Sequence, residues 1–368
     1  MNLTYPWQLY HWHFEISSKC TLKCPRCPRT EYKDLVKLNE DLSLEFFQSL
    51  LTPDVLKNQV KRITMCGDVG DPIYNKEYLE ICRYIKETNP DIHLFTITNG
   101  SYKSKEWWEE FASICNNRDS INFSVDGYDQ TSNNLYRVNS DWTSIMLGMD
   151  IMSKQSQSFV HWATIIFRFN ENHLDDIINQ AKTIGCDSVQ FTRSTKFGSV
   201  YGDAYGGVID PLEPTNREHI SKTHRYERYS IKLTDRILNN LDYMNTNRIE
   251  FLKTKEQYNK FITPMCVIGN RGLYVNAAGQ LFPCSWTSYP YEQLGTARKS
   301  ILYKDSFFNV NKDALNLYKN DLGTVLNNPI WDKFFNGLDD QDRAWVECEQ
   351  KCHKHLVDEA YAVGYETN

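Results

Sequence analysis

The first half of the chain alternates short apolar runs with longer segments of helical periodicity. Continuous or alternating apolar runs are typical of strands, and apolar residues at every third or fourth position are typical of helices. Six strands are predicted, over residues 13–17, 62–66, 93–98, 121–125, 160–169 and 188–192. Helices are predicted between them, over residues 42–60, 78–87, 105–116, 142–154 and 173–184. This alternation predicts an α/β fold with a parallel sheet and right-handed crossovers.

The pattern changes after residue 195. Residues 195–207 are rich in glycine and aromatic residues, and residues 211–258 are polar with weak helical periodicity. We interpret residues 196–263 as a connector or insertion that would cover the mouth of the sheet. Residues 272–284 predict a β-hairpin around Gly279, and residues 330–338 predict a helix. We therefore expect three parts: a parallel α/β domain over residues 1–195, the connector over 196–263, and a small α+β domain over 264–368.

Composition narrows the class of protein. The 368 residues carry a net charge of −6, which argues against a protein that binds nucleic acid through a general positive field. The first residues do not have the basic and apolar regions of a signal peptide, and no run approaches the roughly 20 apolar residues that span a bilayer. We expect a cytoplasmic protein without a membrane segment. Eleven cysteines in a reducing compartment indicate metal or redox chemistry rather than disulfides.

Three cysteines lie close together directly after the first predicted strand. Cys20, Cys24 and Cys27 have C-x3-C-x2-C spacing. One interpretation is a zinc knuckle with His13 as the fourth ligand, because structural zinc takes four ligands, usually from paired cysteines. The other is an iron–sulfur cluster held by three thiolates, with one iron left open. An unpaired triplet favours the cluster.

Four further cysteines lie near the end of the chain. Two of them flank the predicted hairpin, and two are one helical turn apart: Cys266, Cys284, Cys348 and Cys352. Either a zinc ribbon or a fully ligated iron–sulfur cluster would use such a set. The other four cysteines are interpreted as small buried hydrophobic residues: Cys66, Cys82, Cys115 and Cys186.

Short motifs at the ends of the predicted strands resemble those of the radical S-adenosylmethionine (radical SAM) superfamily. After the cysteine triplet come Val69-Gly70-Asp71-Pro72, similar to G-G-E-P; Thr98-Asn99-Gly100, similar to T-N-G; Ser124-Val125-Asp126-Gly127, similar to S-x-D-G; and then Arg137. The resemblance implies a partial (β/α)6 TIM-like barrel and a [4Fe–4S] cluster on Cys20, Cys24 and Cys27. It also implies that S-adenosylmethionine is bound by Gly70, Asp71, Pro72, Thr98, Asn99, Ser124, Asp126 and Arg137.

Two positions depart from the family pattern. The residue before the third cysteine is usually aromatic and lies near adenine, but here it is Arg26. The carboxylate of the G-G-E-P turn is Asp71, which is one methylene shorter than glutamate and therefore reaches less far from the backbone.

The run from Cys266 through Gly279 to Cys284 resembles the SPASM/twitch extension of radical SAM enzymes. A full SPASM domain uses seven or more cysteines for two clusters. With only four available, the resemblance implies the shorter twitch form, with one auxiliary [4Fe–4S] cluster on Cys266, Cys284, Cys348 and Cys352.

The expected function is that of a radical SAM oxidoreductase acting on a small polar molecule, with the auxiliary cluster accepting a second electron. The candidates for the catalytic base are Tyr201, Tyr205 and Arg193. The alternative function is modification of a peptide; RNA modification and a non-catalytic zinc protein are further alternatives. The resemblance also implies a flavodoxin- or ferredoxin-type electron donor as a partner.

Overall fold

The computed structural model describes residues 10–31, 38–192, 211–215, 222–225, 262, 266, 273–288, 311–338, 348 and 352. The described strands are β1 (His11–Phe14), β2 (Arg62–Met65), β3 (His93–Thr98), β4 (Ser120–Ser124), β5 (Phe159–Ile165), β6 (Ser188–Thr192), β7 (Lys222–Arg225), β8 (Leu273–Val275) and β9 (Leu281–Phe282). They form one sheet in the order β7-β6-β5-β4-β3-β2-β1-β8-β9.

Strands β1 to β6 run parallel to one another, and helices connect them. The described helices are α1 (Pro28–Glu31), α2 (Leu44–Leu50), α3 (Pro53–Asn58), α4 (Tyr78–Thr88), α5 (Lys105–Ile114), α6 (Gln130–Asn134), α7 (Trp142–Gln155), α8 (Leu174–Ile184), α9 (Leu322–Leu326) and α10 (Ile330–Gly337). The predicted α/β fold with a parallel sheet is therefore confirmed.

The predicted C-terminal hairpin joins this same sheet. Strand β8 pairs in parallel with β1, with Trp12 opposite Leu273, and β9 pairs antiparallel with β8. The turn between β8 and β9 contains Gly279 at φ 76°, a left-handed conformation that favours glycine. At the other edge, β7 pairs antiparallel with β6 and lies within the predicted connector. Both edge strands thus come from outside the first 195 residues.

The helix predicted over residues 42–60 is two helices. Helix α2 ends before Thr52, whose hydroxyl accepts a hydrogen bond from Val55 N (3.4 Å) and caps α3. Pro53 stands at the first position of α3 and has no N–H to continue the preceding helix. The break between α2 and α3 therefore follows from the Thr-Pro pair, and the apolar periodicity alone does not predict it.

The fifth strand is shorter than predicted. It ends at Ile165 instead of residue 169, because the chain turns back at Asn170. The Asn170 side chain accepts from Phe167 N (2.8 Å) and donates to the carbonyl oxygens of Asp126 (2.6 Å) and Ile165 (2.9 Å). One buried amide thus closes the end of β5 and attaches it to the end of β4.

The main core lies between the sheet and its helices. Phe14 of β1 packs on Phe47 of α2 with ring centroids 4.7 Å apart, and Trp108 of α5 packs on Phe123 of β4 at 5.4 Å. Side chains alternate along these strands, so every second residue faces away from the helices. The loops after β1 to β5 meet at the carboxyl edge of the sheet, where parallel α/β folds place their functional groups.

Candidate functional site

The three clustered cysteines lie in the loop between β1 and α1. Cys27 N donates to Cys24 O (3.2 Å), and Thr30 N donates to Cys27 O (2.8 Å), so a tight turn leads directly into α1. Leu22 N lies 3.4 Å from Cys20 Sγ. All three cysteines line one cavity of about 220 Å³. The loop therefore brings three sulfur donors to a common space, as predicted.

The cavity wall combines the cysteine loop with the ends of β2, β3, β4 and β5. Six of the eight residues predicted to bind S-adenosylmethionine line it: Gly70, Asp71, Thr98, Asn99, Ser124 and Arg137. The other lining residues are Leu22, Pro28, Cys66, Gly67, Asp68, Val69, Ile97, Tyr136 and Ile165. The remaining two predicted residues, Pro72 and Asp126, are buried behind the wall.

The cysteine thiols are shielded from water. Burial raises the pKa of Cys20 to about 12, with a further contribution from the negative charge of Asp71. Burial raises the pKa of Cys24 to about 11, although the positive charge of Arg137 opposes the shift. Binding of a metal centre displaces thiol protons, because the thiolate is the ligand.

The donor set fits an iron–sulfur cluster better than a zinc ion. Among the described residues, no three His, Cys, Asp or Glu side chains are arranged to hold a single metal ion. The proposed fourth zinc ligand, His13, has its Nε2 2.9 Å from Cys66 O, and burial lowers its pKa to about 4. Soft thiolate donors suit iron–sulfur clusters, and a set of three leaves an iron open for another ligand.

Asp71 connects the ends of two strands. Its Oδ1 accepts from Ile73 N (3.2 Å) and Thr98 Oγ1 (2.8 Å), and its Oδ2 accepts from the backbone N and the side-chain Nδ2 of Asn99 (both 2.6 Å). The residue is 5% exposed, and burial raises its pKa although these donors favour the charged form. Both carboxylate oxygens are therefore engaged by the protein, and the side chain fixes the turn after β2 against the end of β3.

The turn that contains Gly70 packs closely on the cysteine loop. A Cβ atom at Gly70 would lie 1.9 Å from Ser17 O, and Asp71 N donates to Lys19 O (2.9 Å). On the other side, the buried carboxylate of Glu15 accepts from Val69 N (2.7 Å) and Gly70 N (3.1 Å). Glycine is required here because backbone approaches backbone.

Asn99 is the side chain that links β3 to the cysteine loop. Its Oδ1 accepts from Ser101 N (2.9 Å), and its Nδ2, besides donating to Asp71, lies 3.6 Å from Cys20 Sγ. Because the turn fixes the amide orientation, the N–H group points toward sulfur. Hydrogen bonds to cluster sulfur are one of the means by which a protein tunes such a centre.

Arg137 and Asp126 form a buried ion pair beside Cys24. Arg137 Nε donates to Asp126 Oδ2 (2.5 Å), and Asp126 Oδ1 accepts from Ile165 N (2.7 Å). The Asp126 side chain is completely buried, whereas that of Arg137 is 18% exposed and reaches the cavity. Asp126 thus orients Arg137, whose guanidinium has further N–H donors for an anionic group.

The position before the third cysteine does not supply a ring to the cavity. Arg26 is 4% exposed and does not line the cavity. The aromatic lining comes instead from Tyr136, whose ring centroid lies 4.4 Å from that of Phe167. Together with Leu22, these rings form a small apolar cluster against the cysteines. Sequence reasoning did not identify Tyr136 as a cavity residue. The only signal for it in the sequence was its position next to the motif residue Arg137.

The end of β2 brings two more residues to the cavity that sequence reasoning did not assign. Cys66, interpreted as a core residue, lines the wall beside Asp68. Ser288 Oγ donates to Asp68 Oδ2 from the 3₁₀ helix Ser285–Ser288, which directly follows Cys284. The cavity is therefore attached to the C-terminal cysteine region through a side-chain hydrogen bond.

The C-terminal cysteines are partly brought together. Burial raises the pKa of Cys284 to about 12, and a nearby Cys352 adds to the shift, so these two thiols are neighbours. Cys348 is buried in the main core, and Cys266 and Cys352 pack against that core.

The candidate bases Tyr201, Tyr205 and Arg193 lie outside the described residues. Within the ranges the structure describes, no helix has both the length and the apolarity needed to cross a bilayer.

Comparison with known proteins agrees with this arrangement. Residues 14–181 match the family model described as the radical SAM superfamily. A search of curated proteins finds no match.

Solved structures share the fold. SuiB of Streptococcus suis, in a structure with its precursor peptide SuiA, matches with a TM-score of 0.51 at 12% identity, over 94% of this chain and 77% of that one. The protein anSMEcpe with bound AdoMet matches with a TM-score of 0.50 at 16% identity, over 92% of this chain and 84% of that one. At these identities the likeness establishes the fold alone.

Proposed function

We propose that this chain is a radical SAM enzyme that holds a [4Fe–4S] cluster through Cys20, Cys24 and Cys27 and binds S-adenosylmethionine in the adjoining cavity. The observation that carries the proposal is the convergence of three thiols on one cavity with six residues of the family's strand-end motifs. The match of residues 14–181 to the superfamily supports it independently.

The residues around the cavity have separate tasks. Arg137, held by Asp126, offers N–H donors to the carboxylate of S-adenosylmethionine. Asp71 is a positioning residue, because its oxygens already accept four protein donors. Tyr136 and Phe167 exclude water from the thiols. When bound, the first cluster would supply the electron that cleaves S-adenosylmethionine to a hydrogen-abstracting 5′-deoxyadenosyl radical, and an auxiliary cluster would supply an acceptor for a second electron.

We propose a net oxidation of a small polar molecule as the reaction. The support is the link from the cavity, through Asp68 and Ser288, to the region of Cys284 and Cys352, where an auxiliary [4Fe–4S] cluster would be held together with Cys266 and Cys348. Such a centre next to the cavity suits an oxidation better than a redox-neutral rearrangement.

A second candidate function is modification of a peptide. It is favoured by the fold likeness to SuiB, whose structure contains the precursor peptide SuiA. Formation of 5′-deoxyadenosine by the purified protein would be measured with an ultrafiltrate of cell extract, before and after protease treatment. Stimulation that survives the protease supports a small molecule, and stimulation that is lost supports a peptide.

The central test uses anaerobically reconstituted protein with S-adenosylmethionine and dithionite, with 5′-deoxyadenosine measured by mass spectrometry. We expect wild type and the control Cys115→Ala to form it, since Cys115 lies outside the cavity wall. The triple variant Cys20→Ala, Cys24→Ala, Cys27→Ala should form none. A wild type that forms none, or a triple variant that remains active, would refute the proposal.

A further inference from the structure

Strand β4 has an apolar face that packs on the helices and an opposite face with small polar side chains. Phe123 packs on Trp108 of α5, and Ile121 lies in the main core. Because side chains alternate along a strand, Asn122 and Ser124 point to the opposite face, which we call the inner face of the sheet. Ser124 lines the cavity, and Asn122 lies roughly 7 Å farther along the same face, away from the carboxyl edge.

The two strands beside β4 place Asn122 at the margin of the cavity. In the register of the sheet, Asn122 is opposite Ile97 of β3 and opposite His161 of β5. Ile97 lines the cavity, and neighbouring strands of a sheet are about 4.8 Å apart. The partly buried side chain of Asn122 therefore adjoins the cavity wall, next to the lining residues Ile97 and Ser124.

Several polar groups of the inner face are joined in pairs between neighbouring strands. Three histidines each share a hydrogen bond with a hydroxyl group of the next strand: His11 Nε2 with Thr64 Oγ1 (2.9 Å), His93 Nε2 with Ser120 Oγ (2.7 Å), and His161 Nδ1 with Ser188 Oγ (2.5 Å). The fold is thus able to supply partners for polar side chains on this face.

Asn122 departs from this pattern of pairing. Its Oδ1 is buried and has no hydrogen-bond partner in the part of the chain that the structure describes. A buried acceptor without a donor destabilises the folded protein, and an apolar side chain of similar shape would avoid this cost. A polar group that the fold leaves unsatisfied beside a cavity is typical of a functional site. The amide of Asn122 is therefore placed to take a partner that enters through the cavity.

We propose that Asn122 binds the substrate through a neutral group that both donates and accepts a hydrogen bond, either a hydroxyl of a polyol or an amide of a peptide. This inference rests on the proposed function, because it concerns the substrate of the same cavity. Oδ1 of Asn122 would accept a hydrogen bond from the substrate, and Nδ2 would donate one. A neutral group suits the site because Asn122, Ile97 and Ser124 carry no formal charge.

The first test separates a binding role from a structural role by thermal melting. Asn122→Leu keeps the branched shape and removes the unpartnered acceptor, so we expect its Tm to equal or exceed that of wild type. The matched control is Ser120→Ala, two residues along the same face, which should lower Tm because it removes the partner of His93 Nε2. A Tm below wild type in both Asn122→Leu and the smaller Asn122→Val would indicate a structural role and overturn the proposal.

The second test measures binding through formation of 5′-deoxyadenosine, with dithionite as reductant and an ultrafiltrate of cell extract as the source of substrate. We expect the ultrafiltrate to stimulate wild type and Ser120→Ala with the same half-maximal dose. Asn122→Leu should need about tenfold more ultrafiltrate, which is the effect of losing one well-formed hydrogen bond. An equal half-maximal dose for wild type and Asn122→Leu, or no stimulation of wild type, would overturn the proposal.

Two treatments of the ultrafiltrate identify the group that Asn122 recognises. Periodate cleaves the vicinal diols of a polyol, and protease cleaves a peptide. Loss of stimulation after periodate supports a hydroxyl, loss after protease supports an amide, and stimulation that survives both treatments would overturn the assignment. A wild type that forms no 5′-deoxyadenosine under any of these conditions would refute the proposed function, while the comparison of Tm values still tests the role of Asn122.

Discussion

Replacement of Asp71 by asparagine tests whether this side chain positions the cavity wall or binds a ligand directly. In wild type, Asp71 Oδ2 accepts from both the backbone N and the side-chain Nδ2 of Asn99, each at 2.6 Å. Asparagine has the shape of aspartate, but one of its two terminal groups is an N–H₂ donor, which cannot accept from these donors. At least one buried donor then loses its partner. Such a loss costs about 1–3 kcal/mol.

This free-energy cost can be converted into a change in melting temperature. For domains of 150–250 residues, 1 kcal/mol corresponds to about 2–4 °C in Tm, and less for larger chains. At about 2 °C per kcal/mol for a chain of this size, we expect Asp71→Asn to lower Tm by about 2–6 °C. Asp71→Ala should lower it further, because it leaves Thr98 Oγ1 without its acceptor as well. The exposed Asp175, in the first turn of α8, provides the control Asp175→Asn, which should change Tm by less than about 1 °C.

The assay combines thermal melting with equilibrium binding of S-adenosylmethionine to the reconstituted protein. A positioning role predicts that Tm and affinity fall together, and that cluster content falls as well, since Asn99 Nδ2 reaches Cys20 Sγ. An Asp71→Asn variant with the wild-type Tm and a tenfold weaker affinity would refute this reasoning. The carboxylate would then be a direct ligand.

Three other substitutions test the close packing at Gly70, the burial of His13 and the hydrogen bond from Ser288 to Asp68. Gly70→Ala should prevent soluble folding or remove the cluster, because its Cβ would lie 1.9 Å from a backbone oxygen. The control Gly323→Ala in α9 should be tolerated. A well-folded Gly70→Ala protein with full cluster content would contradict the close packing. The folded-state pKa of His13, lowered to about 4 by burial, lies below its unfolded value of about 6.5, so stability should be lost as pH falls from about 6.5 toward 4, by at most about 3 kcal/mol. Thermal melting of His13→Gln should show a smaller loss at low pH, and an unchanged pH profile would argue against His13 as the cause. Ser288→Ala removes the hydrogen bond to Asp68, so 5′-deoxyadenosine should still form with dithionite while limited proteolysis of residues 273–288 becomes faster; equal proteolysis would show that this link does not anchor the segment.

The parallel sheet and the position of the cysteine loop could be predicted from sequence because both depend on local patterns. Apolar runs define β2, β3, β4 and β6 to within about a residue, and polar or glycine-rich turns mark their ends. Two of the elements that differ from the prediction depend on single side chains, whereas β1, predicted over residues 13–17, is His11–Phe14. Pro53 divides a continuous apolar pattern into two helices, and Asn170 ends β5 early.

Pairing between strands that are distant in the chain could not be predicted from sequence patterns. No local signal shows that β8 would pair with β1, since the two strands are separated by more than 250 residues, as the register of Trp12 with Leu273 shows. The hydrogen bond from Ser288 to Asp68 follows from that pairing, so the contact of the C-terminal region with the cavity was also not predictable.

The cavity wall shows the same limit. Motif residues such as Asn99 and Arg137 were identified from the family pattern, but Tyr136 and Ile165 reach the cavity only because the turn after α6 and the end of β5 meet there. Conversely, Asp126 was predicted as a ligand, and the structure places its carboxylate behind the wall, bound to Arg137 and Ile165 N.

We propose above that Cys20, Cys24 and Cys27 hold an iron–sulfur cluster. The most direct test is analysis of iron, acid-labile sulfide and zinc in anaerobically reconstituted wild type and in the variant with all three cysteines changed to alanine. We expect the triple variant to contain about four irons and about four sulfides fewer per chain than wild type, while iron bound elsewhere is retained. About one zinc per site with no sulfide in wild type, or equal iron in the two proteins, would contradict it.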